Sequence, residues 1–128
     1  MLKLPSNLNS ICEVQPFVDY LARKYPISRD LYPNILISVT EAVTNAIRHG
    51  NQCDESKKVE IRTRRISNCI AIRVSDQGCG FDPNDIPDPT CPENLCKCGG
   101  RGVFIMQQLS DRIQFCNNGR TVELRFKL

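Results

Sequence analysis

The residues equipped for chemistry fall in two glycine clusters and one polar helix stripe. Gly99-Gly100-Arg101-Gly102 precedes a run from Val103 to Leu109 in which Val103, Met106 and Leu109 recur at helical spacing. Residues without a Cβ let backbone N–H groups approach a phosphate closely, and a helix N-terminus favours anions. Arg101 adds a fixed positive charge. The cluster lacks the Lys-Ser/Thr of a phosphate loop, and no βαβ unit surrounds it as one would a dinucleotide fingerprint. The other cluster, Asp76-Gln77-Gly78-Cys79-Gly80-Phe81, follows an alternating apolar run. A buried carboxylate at a strand end can accept a hydrogen bond from an amino group such as that of adenine. Each cluster alone also reads as a tight turn. The stripe consists of Glu41, Asn45 and either Arg48 or His49, at steps of four and then three or four residues. These lie on one line along a helix.

That helix is the stretch Asp30 to Gly50. Ile35, Leu36, Val39, Ala42, Val43, Ala46 and Ile47 mark its buried face. Asp30 is placed to cap its N-terminus and Gly50 its C-terminus. Before it, residues 1–4 suit a short edge strand closed by Pro5, and Asn9 to Tyr25 suit an amphipathic helix. Pro16 either kinks that helix or marks a later start. Val59, Ile61 and Thr63 alternate with charged residues, as Ile70, Ile72 and Val74 do with Cys69, Ala71 and Arg73. Ser67-Asn68 between these runs makes them an antiparallel hairpin. Residues 82–98 hold four prolines and no sustained periodicity, which reads as a long functional loop or lid. Ile113 and Phe115, the turn Asn117-Asn118-Gly119, and Val122, Leu124, Phe126 and Leu128 form a closing hairpin. The order predicts an α+β fold of two layers, with helices on one face of a mostly antiparallel sheet.

At 128 residues the chain reads as a single domain, 1–128, with a core large enough to fold unaided. A net charge of +3 is too small to argue for direct nucleic-acid binding. Arg62, Arg64 and Arg65 read as the wet side of a strand. No apolar run is long enough to span a membrane, and MLKLPSNLNS lacks the apolar core of a signal peptide, so a cytoplasmic location is expected. There are eight cysteines; without a secretory signal they read as thiols or metal ligands. Cys91, Cys96 and Cys98 are spaced by four residues and then one, a poor match to the paired spacing of zinc sites. They read as thiols incidental to the loop, with a metal or redox role as the alternative.

Taken together, Glu-x-x-x-Asn on a long helix, Asp-x-Gly-x-Gly after a strand, a long loop and Gly-x-Gly opening a helix resemble the ATP-binding domain of the GHKL superfamily. Histidine kinases, gyrase and the Hsp90 chaperones belong to it. The strings EAVTNAIRHG and GGRGVFIMQQLSD most closely resemble the anti-sigma-factor serine/threonine kinases of bacterial stress and sporulation switches. The resemblance implies the Bergerat fold, a left-handed two-layer helix–sheet sandwich, and a Mg-ATP site. In that site Asn45 would hold Mg²⁺, Glu41 would be the general base, and Arg48 would lie near the phosphates. Asp76 would bind the adenine amino group, with Gly78 and Gly80 admitting the ring. Gly100, Arg101 and Gly102 would contact the phosphates, and Thr121 would support the adenine through water. It further implies phosphorylation of an anti-anti-sigma (STAS-type) partner and sequestration of a sigma factor, and it allows a homodimer. A regulator that binds partners under ATP control without significant kinase activity is the alternative.

Overall fold

The computed structural model describes residues 1–78 and 100–128. The expectations for Gly80, for the loop at 82–98 and for Cys91, Cys96 and Cys98 lie outside the described residues. The chain begins with strand β1 (Leu2–Pro5), a 3-10 turn (Leu8–Glu13) and helix α1 (Val14–Lys24). Helix α2 (Leu31–Asn45) follows and runs on into a π-helical turn, Ala46–Gly50. Strands β2 (Lys58–Ile66) and β3 (Cys69–Ser75) form the first hairpin. Helix α3 (Gly100–Leu109) leads to β4 (Arg112–Cys116) and β5 (Thr121–Lys127). The strands make one sheet in the order β1-β2-β3-β5-β4, and each neighbouring pair is antiparallel.

The alternation in the strands decides the layers. Val59, Ile61, Ile70, Ile72, Val74, Val122, Leu124 and Phe126 are buried on one sheet face, against Ile35, Val39, Val43 and Ile47 of the α2 segment. Burying each such side chain stabilises the fold by about 1.5–3 kcal/mol. Helices α1 and α3 pack on either flank of α2. The Tyr32 hydroxyl donates to Asp19, tying the start of α2 to α1. No helix among the described residues is long and apolar enough to cross a membrane.

Four local expectations are decided or revised by the structure. Pro16 sits in the first turn of α1, where its missing N–H costs nothing, so it marks a later start and not a kink. Asp30 makes no side-chain cap; the Ser28 hydroxyl accepts from the Leu31 N–H at 3.1 Å and serves instead. Gly50 does not adopt the left-handed cap conformation. The helix widens into the π turn, and the Asn51 N–H reaches back five residues to the Ala46 carbonyl at 2.8 Å. The second glycine cluster forms the first turn of α3 itself, which begins at Gly100 and not at Val103.

Candidate functional site

Glu41 and Asn45 lie on the side of α2 that meets α3. Both are half-buried. At Gly102 a Cβ would stand 2.7 Å from Asn45 Nδ2 and 3.1 Å from both Asn45 Oδ1 and Glu41 Oε2. Only a residue without a side chain lets the first turn of α3 come this close. The result is a carboxylate, an amide and the first-turn backbone of a helix N-terminus gathered within one small volume. Arg101 is exposed in the same helix turn. A cation held by an amide and carboxylate, with an anion over the helix N-terminus, is the ligand chemistry this set accommodates.

A second junction forms where the π turn meets the end of β3. A Cβ on Gly50 would lie 2.3 Å from Asp76 Cγ and Oδ2, and one on Gly78 only 1.8 Å from the Gly50 carbonyl oxygen. The two glycines therefore let helix end and strand end touch, backbone to backbone. Asp76 Oδ1 accepts from the Gly78 N–H at 2.8 Å, while Oδ2 has no hydrogen-bond partner among the described residues. Burial pushes the Asp76 carboxyl above its ordinary value, against the opposing pull of the Gly78 N–H, Arg120 and Lys57. An acceptor kept half-buried with one free oxygen is suited to a single donor such as an amino group.

Asn51 holds this junction, and sequence reasoning passed it over. Its side chain is buried, 1% exposed. Oδ1 accepts from the Gln77 N–H at 2.7 Å, and Nδ2 donates to Ser6 Oγ at 2.7 Å and to the Lys58 carbonyl at 3.1 Å. Gln77 Oε1 in turn accepts from the Lys58 N–H at 2.7 Å. One amide thus links β1, β2 and the Asp76–Gly78 turn. An asparagine in a polar turn carries no periodic signal, so only its three-dimensional partners reveal it.

The other expected residues are placed as follows. Arg48 and His49 fall in the π turn and are exposed; burial, then the nearby Arg48 charge, lowers the His49 pKa, so Arg48 carries the charge there at neutral pH. Thr121 is buried, and its Oγ1 lies 2.9 Å from Ser75 Oγ and accepts from Asn117 Nδ2 at 3.0 Å. The register pairs it with Ser75 on the sheet face away from the helices, opposite to Val74 and Val122. The structure therefore brings Glu41, Asn45 and Gly102 together, and Asp76 with Gly78 and Gly50, while Thr121 lines an open cleft with Asp76 and Ser75 at the strand end. No group of three or more histidine, cysteine or acidic residues among the described residues could hold a metal ion by itself.

Residues 4–126 match the family described as the histidine kinase-like ATPase domain. The chain is 28% identical over 130 residues to the serine-protein kinase RsbW of Bacillus licheniformis, covering 96% of this chain and 81% of that protein. It is 43% identical over 115 residues to the anti-sigma F factor of Clostridium perfringens (strain SM101 / Type A), covering 85% of this chain and 81% of that protein. Among solved structures it is similar to the histidine kinase domain of the blue-light-activated histidine kinase EL346 from Erythrobacter litoralis, with a TM-score of 0.57 at 19% identity. That match covers 98% of this chain and 62% of the other, and it bears on the fold alone.

Proposed function

The chain belongs to the family of histidine kinase-like ATPase domains, and from that premise we propose that it is a Mg-ATP-dependent protein serine/threonine kinase of the anti-sigma type. It would phosphorylate a STAS-type anti-anti-sigma protein and, in the alternate state of the switch, hold a sigma factor. The observation that carries this reading is the close approach at Gly102, which gathers Glu41 Oε2 and the Asn45 amide at the N-terminus of α3. Relatives named as a serine-protein kinase and as an anti-sigma factor support the same assignment.

The residues fit the group that such chemistry needs. Asn45 Oδ1 would hold Mg²⁺, which supplies charge neutralisation on the phosphates. The first-turn N–H groups of α3, at Gly100, Arg101 and Gly102, would cradle the phosphates, with the Arg101 guanidinium and the Arg48 charge nearby. Glu41 would take the proton from the attacking serine or threonine hydroxyl. Asp76 would accept from the adenine amino group through its free Oδ2, with Gly78, and Gly80 beyond it, making room for the ring. Thr121, which lines a cleft with Asp76, would support the adenine through water. Phosphoryl transfer asks mostly for positioning and charge stabilisation, and this set divides those tasks between two junctions on one helix.

Calorimetry and phosphotransfer test the division. Mg-ATP binding should be largely lost in Asp76→Ala and weakened in Asn45→Ala. Glu41→Ala should keep binding within a few fold while transfer to a STAS-type protein falls by about 10²–10⁴-fold. Equal wild-type affinity for ATP and GTP would remove the role of Asp76. Normal transfer by Glu41→Ala would remove the base and favour a partner-binding regulator gated by ATP.

A further inference from the structure

The sheet face turned away from the helices is not covered by any described element, and its chemistry is uneven. The strand register places Arg62 and Arg64 of β2, Arg73 of β3, Arg125 of β5 and Arg112 of β4 on it. The carboxylates on the same face are Glu60 and Glu123. Lys3, Lys58 and Lys127 share the face by the same register, so eight cationic side chains stand against these two carboxylates.

Glu123 lies beneath this layer, with its side chain 1% exposed. Its Oε1 accepts from Arg73 Nε at 3.3 Å and lies 3.7 Å from Arg64 Nη2, and its Oε2 accepts from Arg125 Nη2 at 3.3 Å. Burial by itself would raise the Glu123 pKa, but Arg73 and Arg125 outweigh it and hold the carboxyl below the ordinary range. One buried carboxylate therefore orients three guanidinium groups and neutralises only one of them. Arg62, paired with Glu60, and Arg64 stay 66% and 61% exposed. Towards the Asp76 end the face deepens into an open cleft of about 540 Å³, lined by Arg62, Arg73, Arg120 and Thr121 together with the carboxylates of Glu60 and Asp76. A guanidinium offers five N–H donors, so most donors on this face await acceptors.

We propose that this arginine face docks an acidic segment of a protein partner in extended conformation. Successive outward residues on one strand, such as Arg62 and Arg64, stand about 6.8 Å apart, which is the period of alternate side chains in an extended chain. Carboxylates at alternate positions of the partner would meet successive arginines and could form paired N–H···O bonds with them. The described outward positions of the strands hold no aromatic residue, so bases of a single-stranded nucleic acid would find no stacking platform. A second copy of this face would bring arginines against arginines. The arginines lie apart from the Glu41–Asn45–Gly102 junction, although Asp76 borders the cleft at one end of the face, and the inference stands whether or not that junction transfers phosphate.

Fluorescence anisotropy with a fluorescein-labelled peptide of alternating Glu and Ser tests it on the full chain. Wild type should bind the peptide at low ionic strength, and more weakly as salt rises. Arg62→Glu combined with Arg64→Glu should weaken binding by about tenfold or more, because attraction becomes repulsion at the surface of an intact fold. Arg23→Glu combined with Arg29→Glu makes the same change in net charge on exposed positions elsewhere and should leave affinity within about twofold. No binding by wild type, or equal losses in the two double variants, would overturn the proposal. Tighter binding of a DNA duplex through the same arginines would reassign the face to nucleic acid. A self-association seen by sedimentation in wild type and lost in the Arg62, Arg64 double variant would reassign it to a second copy.

Discussion

Asp76 is held at a cost, since burial opposes its ionisation and only the Gly78 N–H and two distant cations offset that. Its folded pKa lies above the unfolded value, so its favourable contribution is complete below the unfolded pKa and is lost as pH rises through the folded one. Asp76→Asn keeps Oδ1 for the Gly78 N–H but replaces the free oxygen with a donor. The variant should therefore melt at a higher temperature than wild type at neutral pH, with the advantage vanishing in acid, while it loses Mg-ATP binding. Thermal melts across pH alongside calorimetry measure both; a neutral-pH melting point below wild type would contradict the burial argument. The same trade of stability for a receptive site is common where a polar group is kept half-buried for a ligand.

At the scale of elements, α2 works because two other elements come unusually close to it. The contacts differ in kind, and that difference is testable. A Cβ at position 102 meets the far ends of the Asn45 and Glu41 side chains, which can swing away. One at position 78 meets the Gly50 backbone carbonyl at 1.8 Å, which cannot move without the π turn. Gly102→Ala, with alanine's helix preference of about 1 kcal/mol in its favour, should fold at least as stably as wild type yet lose Mg-ATP affinity. Gly78→Ala should cost about 1–3 kcal/mol or more of stability. Urea denaturation read beside nucleotide titration separates the two; similar stability losses in both variants would show that Gly102 is needed for packing and not for the site. The π turn belongs to the same reasoning. Widening the helix by one residue at Ala46–Gly50 carries Gly50 onto Asp76 and turns Asn51 inward, and such wide turns are often found at functional positions.

In the molecule as a whole, the two faces of the sheet perform different tasks. The inner face supplies the core that fixes α2, and the outer face is an ionic layer organised by Glu123. Because the Glu123 pKa is depressed on folding, its contribution is complete above the unfolded pKa and disappears as pH falls through the lower folded value. Glu123→Gln should therefore destabilise the protein by about 1.5–3 kcal/mol at neutral pH, the worth of hydrogen bonds to a charged group. The deficit should shrink steadily in acid, where wild type loses the same interaction. Equilibrium unfolding at neutral and acidic pH checks this; a deficit independent of pH would mean that Glu123 acts through packing alone.

The sequence by itself determined whatever depends on short-range pattern. Alternation assigned β2, β3 and β5 their faces, the three-and-four spacing from Ile35 to Ile47 marked the buried side of α2, and Ser67-Asn68 marked a turn. The polar stripe and glycine clusters were legible too, because their spacing within helix and turn is a local property, and their combination pointed to the family. Tertiary structure decided everything that depends on which distant groups meet. Capping passed from Asp30 to Ser28 through one hydrogen bond, and Gly50 proved to be a contact for Asp76 because the helix widened where β3 ends. Thr121 was given a role beside the adenine from its place after Gly119-Arg120, and only strand pairing shows it beside Ser75, lining one cleft with Asp76. The buried Asn51 side chain makes three hydrogen bonds that no periodicity announces. Arg62 and Arg64 looked like an ordinary wet strand until pairing laid them beside Arg73 and Arg125 over a buried Glu123. Burial and electrostatic coupling are sums over neighbours separated in the chain by fifty residues or so, as Arg73 and Glu123 are, and those neighbours are fixed only when the strands pair.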